Sequence, residues 1–183
     1  MMNNKRKSKK LWSEVLELFS EFEKIDMISF LYELINIVRI NSEYINQTLN
    51  TGKSDNGYTF SGNEVFFFGF IATLNPEMYV IGSSGDDFRS IVKSYIDREP
   101  KTEFEVLRRI SNLVRDIITF TSAEECPQCK SDHLRVFTEV NSEKLYRHCE
   151  TCFFVDTDDG EIQAQNKFIP ANITLLKRAG YLN

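Results

Sequence analysis

Residues 126–152 read CPQCKSDHLRVFTEVNSEKLYRHCETC, and the cysteine doublets at the two ends of this stretch decide how the chain is read. Cys126 and Cys129 form the first doublet and Cys149 and Cys152 the second, with residues 130–148 between them and no cysteine elsewhere. Two C-x-x-C doublets at this distance are a metal-ligand pattern. A tight turn in each doublet aims two sulfurs at one point about 2.3 Å away, and two such turns complete a tetrahedron. The residues between them suffice for one hairpin that carries the second doublet back to the first.

Working outward, the apolar residues of this region fall in short runs: Leu134 to Val140, Lys144 to Arg147 and Phe153 to Val155. Turn chemistry follows at Thr157-Asp158-Asp159-Gly160. This predicts short antiparallel strands joined by tight turns. Over residues 124 to about 165 the pattern resembles the zinc-ribbon family of small modules. The resemblance implies two β-hairpin knuckles around one structural zinc ion, with Cys126, Cys129, Cys149 and Cys152 as its ligands. It is a likeness of architecture and implies no activity. Residues 1–123 carry no such likeness.

Four thiolates leave a tetrahedral ion no open position for water, which argues for structure rather than catalysis. Iron in the same cage, serving electron transfer, is the minority reading. His133 and His148 are the chain's two histidines, and both fall near the doublets. With the four positions filled, they read as surface residues or as outer neighbours of the ligands. No free cysteine remains as a nucleophile, so no catalytic and no cofactor-binding residue is singled out.

Upstream, the periodicity changes to three and four. Helices are predicted over Leu11 to Lys24, over Met27 to Ile40 behind an Asp26 cap, and from Asp86 to Ile96. A further helix, about 102 to 120, opens with a Thr102/Glu105 capping box. Residues 27–40 are apolar almost all round, which predicts a central helix. The segment KSDNGYTFSGN at 53–63 reads as a loop. Val65 to Leu74 is ambiguous: the Ser61/Glu64 spacing favours a helix, and the phenylalanines and Gly69 favour a buried strand. Helix is preferred. MYVIG at 78–82 reads as a strand or a buried connector. Trp12, Phe19, Phe30, Leu34, Leu107, Ile110 and Val114 are the predicted helical core. Pro170 is expected to end the ribbon, and Asn172 to cap a last helix from Ile173 to Ala179 with Gly180 behind it. The expected class is α+β, a mostly helical N-terminal domain followed by a small antiparallel β ribbon and a short C-terminal helix. The expected division is a basic flexible tail at 1–10, the helical domain at 11–122, the ribbon at 123–168 and a tail with a short helix at 169–183.

The 183 residues are 42% hydrophobic and 27% charged, enough for a folded core. A net charge of -5 argues against a whole surface suited to nucleic acid or membrane. The longest apolar run, Val65 to Leu74, is too short to cross a bilayer. A basic start followed at once by a glutamate-rich helix fits neither a secretory signal nor a mitochondrial presequence, so a cytoplasmic protein is expected. Gly82-Ser83-Ser84-Gly85-Asp86-Asp87 lacks the lysine and hydroxyl of a phosphate-binding loop and reads as a capped helix start.

Between Glu124 and Gln165 the basic residues are Lys130, Arg135, Lys144 and Arg147, against ten acids. Phosphate contacts need Lys and Arg. The expected function is therefore that of a non-catalytic zinc-containing binding protein acting by protein–protein contact, with a partner that is basic on its matching face. A bacterial or phage accessory, antitoxin, immunity or defence component suits this size and charge. One alternative is a nucleic-acid-binding regulator using the ribbon and the basic run Lys5, Arg6, Lys7, Lys9, Lys10. Another is an enzyme with an acid-based site in the helical domain.

Overall fold

The structure is a computed structural model and describes residues 4–21, 24–51, 59–81, 88–140, 142–157 and 167–183. Helices come first: α1 (Asn4–Glu21), α2 (Met27–Ile40), α3 (Ser42–Thr51), α4 (Gly62–Thr73), α5 (Phe88–Ile96) and α6 (Glu103–Ile118). Strands β1 (Phe120–Glu125), β2 (His133–Glu139), β3 (Leu145–His148), β4 (Val155–Thr157) and β5 (Phe168–Pro170) follow, and α7 (Ile173–Arg178) closes the chain. The class is α+β, mostly helical in the N-terminal part, with a small antiparallel sheet and a short last helix.

The helix starts follow the caps in the sequence. The Asp26 carboxylate accepts from the Ser29 amide at 2.9 Å and opens α2. At α4 the capping box is complete: the Ser61 hydroxyl accepts from the Glu64 amide at 3.2 Å, and Glu64 accepts from the Ser61 amide at 2.8 Å. This settles Val65 to Leu74 as helix, because a cap satisfies amides that a strand would have to pair across a sheet. At α6, Thr102 accepts from the Glu105 amide at 3.1 Å, while Glu105 reaches one residue further back, to the Lys101 amide, at 2.8 Å. Asn172 caps α7 through the Leu175 amide at 2.9 Å, and Gly180 behind it has a φ of 81°, a left-handed position that suits glycine.

The chain divides into two compact units. The first is Met1–Pro76 with Asp87–Arg115, and the second is Glu77–Asp86 with Asp116–Asn183. All seven predicted core residues of the helical unit are buried. The all-round apolar helix α2 is central on one side only. It buries Phe30, Leu31, Leu34, Ile35 and Val38, yet leaves Ile28 44% and Ile40 72% exposed. The basic stretch expected as a flexible tail is helical from Asn4 onward. The reason is packing: Ser8 and Leu11 are buried, and the Lys7 ammonium lies 5.8 Å from the centre of the Tyr44 ring.

In the second unit β2 is the hub. It pairs antiparallel with β3 on one edge, and on the other with β1 at its start and β5 at its end. β4 continues the sheet beyond β3. The sheet thus reaches past the expected ribbon at both ends. Pro170, expected as the end of the module, is part of β5 and lies opposite Phe137, on an edge where its missing N–H costs no ladder bond. One face of the sheet carries Val136, which packs with Ala171 and Leu176 against Phe120, Leu145 and Val80. Val80 belongs to MYVIG, where residues 76–78 form a 3-10 turn and no strand occurs among the described residues; the segment is a connector that is only half-buried at Val80 and exposed at Met78. The turn at Gly82 to Asp87, most of the 53–63 loop and the turn residues 158–160 lie outside the described residues.

Candidate metal centre

Both doublets turn in the same way. In the first, the Lys130 amide donates to the Cys126 carbonyl at 2.9 Å, and the Cys126 amide donates to the Asp132 carbonyl at 2.8 Å. In the second, the Phe153 amide donates to the Cys149 carbonyl at 3.0 Å, and the Cys149 amide donates to the Phe154 carbonyl at 2.9 Å. The residue after the second cysteine of each doublet is left-handed, Lys130 at φ 53° and Phe153 at φ 60°. Neither is a glycine, so each turn carries a backbone cost. One knuckle leads into β2 and the other lies between β3 and β4, so the β2–β3 pairing of Arg135 with His148 brings the two turns side by side.

The sulfurs of the four cysteines lie within 4.8 Å of one another, and they are the one such cluster of possible metal ligands among the described residues. Cys126 and Cys152 sulfurs are 3.5 Å apart, and those of Cys129 and Cys149 are 3.6 Å apart. Four sulfurs placed about 2.3 Å from one ion stand about 3.8 Å from each other, so the cage is the size a tetrahedral thiolate site requires. These separations are far from a disulfide bond, and all four cysteines are free. Cys126 and Cys149 are fully buried and pack on Leu134, with Phe154 alongside.

Ser131 donates hydrogen bonds to Cys129 from its side chain and backbone and lowers that thiol to about 6. Burial pushes Cys152 up to about 12 and Cys149 upward. Thiols this close cannot all ionise unless a cation sits among them, so metal binding here releases protons. The donor set therefore fits a thiophilic divalent ion.

Asp132 ties the knuckles together, a role its sequence position did not signal. Its carboxylate accepts from the Thr151 hydroxyl of the opposite knuckle at 2.9 Å and lies 4.0 Å from the Cys149 sulfur. Neither histidine joins the sulfur cluster. His133 is exposed at the start of β2. The His148 ring stands between Phe137 and Phe153, at 6.2 and 6.3 Å.

The arginines of the sheet are engaged by carboxylates. Arg135 sits between Asp116 and Glu150, at 2.9 Å from each. Arg147 contacts Glu124 at 3.2 Å and also binds Asp156. Register puts Arg135 and Arg147 on opposite faces, since Arg135 pairs with His148 and Arg147 with Val136. The two arginines thus lie on opposite faces of the sheet, each paired with two acids.

Fold and site define a class: a helical unit followed by a small antiparallel sheet that closes around a four-cysteine cage. No protein-family model, curated protein or solved structure matches the chain. No helix among the described residues is long and apolar enough to cross a membrane.

Proposed function

We propose that the cysteines hold one structural zinc ion in a zinc-ribbon-like module, and that the chain is a non-catalytic binding protein that docks on another protein through this module. The observation that carries the reading is Phe153. It is 77% exposed, and its backbone occupies a left-handed position in the second knuckle. A bulky side chain at such a position works against folding, where glycine would be unstrained. Its exposure suits a contact residue, and its place on the knuckle lets the metal hold it rigidly. The engaged arginines support protein over nucleic acid, because a phosphate would have to displace two carboxylates from each. Exposed Glu125, beside the first knuckle, gives the surroundings a negative charge, so the partner is basic where it meets it. Free thiols at this spacing suit a reducing, cytoplasmic setting.

Elemental analysis of the purified chain tests the metal, with one zinc per chain expected and iron or no metal overturning it. Affinity capture with the zinc-loaded full chain from its native host tests the contact. Against the captured protein, Phe153→Ala is expected to raise the dissociation rate and Glu125→Lys to slow association. Nanomolar binding of DNA or RNA by the wild type, falling steeply with salt, would replace this reading with the nucleic-acid one. The identity of the captured partner also decides whether the role is that of an antitoxin, an immunity protein or a defence component.

A further inference from the structure

The four cysteines are the only thiols of the chain, so any oxidation of thiols falls on the cage. They are not equivalent. The first cysteine of each doublet, Cys126 and Cys149, is fully buried, and the second, Cys129 and Cys152, is half-buried. Oxidants and alkylating agents reach sulfur from solvent, so Cys129 and Cys152 are the open positions.

Each open sulfur has a sealed one beside it that belongs to the other knuckle. The Cys152 sulfur lies 3.5 Å from that of Cys126, and the Cys129 sulfur lies 3.6 Å from that of Cys149. A disulfide requires about 2.05 Å, so each pair has about 1.5 Å to close. A small shift of one knuckle toward the other supplies this, and the Thr151 to Asp132 hydrogen bond already holds the two in place. Closure inside a doublet is harder. There the turn is set by backbone hydrogen bonds, from the Lys130 amide to the Cys126 carbonyl and from the Phe153 amide to the Cys149 carbonyl. The residue behind each turn is already left-handed, so further bending adds to an existing backbone cost.

We propose that the cage is a redox switch: peroxide attacks Cys129 and Cys152, each is joined to the buried cysteine of the opposite knuckle, and the cage lets go of its zinc. The inference rests on the zinc reading above, which it extends to regulation, and it is independent of the protein partner. In each half the thiolate of the open cysteine attacks one oxygen of hydrogen peroxide, giving a sulfenic acid and a hydroxide ion. The buried thiolate then attacks that sulfur, forms the disulfide and displaces a second hydroxide. The two sulfurs together lose two electrons, and the O–O bond that breaks takes them up. Two peroxides convert all four thiolates, which leaves no ligand for zinc. A dithiol reductant reverses both bonds and restores the ligands. The disulfides tie together the same two turns, so oxidation exchanges one clamp for another.

The full chain, its zinc verified by elemental analysis, is treated with excess hydrogen peroxide, and freed zinc is followed with a chromogenic indicator. Trypsin cuts after Lys130 and Arg147 and so separates the two doublets. The expected result is loss of the one zinc per chain, with the two doublet peptides joined by disulfides, and recovery of thiols and zinc binding after dithiothreitol. Brief N-ethylmaleimide treatment of the zinc-loaded chain is expected to label Cys129 and Cys152 ahead of Cys126 and Cys149. Amide exchange is expected to retain protection in β2 and β3 after oxidation, where the reduced chain stripped by a chelator loses it. The proposal is overturned by zinc that stays bound through oxidation, by disulfides closed within each doublet, by first labelling at Cys126 or Cys149, or by loss of β2–β3 protection on oxidation. A starting protein without zinc overturns the zinc reading, and the switch with it.

Discussion

In the helical unit Phe30, Leu31, Leu34, Ile35, Leu107 and Ile110 lose all exposure to water, as do Leu11, Val15 and Ile71, so side chains from α1, α2, α4 and α6 make a hydrocarbon interior. At the knuckle end of the sheet unit, the buried cluster is Cys126, Leu134 and Cys149, with Cys129, Cys152 and Phe154 against it. The first interior is stabilised by removing apolar surface from water, the second by whatever satisfies four sulfurs. A few short strands exclude too little water to hold two strained turns together, and in the function proposed above a metal ion supplies what burial cannot. The two units should therefore fail for different reasons.

The largest expected effect is on the metal. Cys129→Ser, or removal of zinc by a strong chelator, is expected to unfold the knuckles and the β2–β3–β4 strands, since zinc contributes about 10–16 kcal/mol to such modules. Amide exchange should show the loss there, while α2 and the Met1–Pro76 part of α6's unit keep their protection. Equal loss in both units would break the comparison. Next in size is Leu34→Ala, which opens a cavity at a fully buried position and is expected to cost about 2–5 kcal/mol. Thermal unfolding should report it in the helical unit, and zinc retention against a chromogenic chelator should not change. Ser61→Ala removes the capping box of α4 and is expected to cost about 1 kcal/mol, again without effect on zinc. The smallest effect has the opposite sign. Phe153→Gly relieves a left-handed cost of about 1–2 kcal/mol, partly offset by the greater freedom of glycine in the unfolded chain. Zinc release is expected to slow slightly, and a marked acceleration would show that Phe153 supports the knuckle instead of burdening it.

Much of the helical unit was legible because its signals are local. Asp26, Ser61 and Thr102 each cap an amide three residues away, and the spacing of Leu107, Ile110 and Val114 marks one helix face. The cysteine cage was legible for a similar reason, as each doublet encodes its own turn. The strands β1 and β5 were not. Phe120–Glu125 lacks a clear alternation of apolar and polar residues, and Phe168–Pro170 is too short to carry one. Both exist because β2 offers its edge to them. The roles of Asp132 and Thr151 were hidden as well, since their contact joins residues nineteen positions apart.

By itself, the sequence determined the α+β class, the helix caps, the helical core residues and the four cysteines that could share an ion. Each of these depends on residues within a few positions, or on a ligand type whose chemistry has few other uses. Only the tertiary structure decided that Val80 packs with Val136 and Leu176, that the basic start of the chain is helical above Tyr44, and that Arg135 and Arg147 are split between two faces and held by acids. It also left Ile40 and Phe153 in water. Such outcomes depend on which distant surfaces meet, and chain entropy and competing burial settle that only when the whole interior forms.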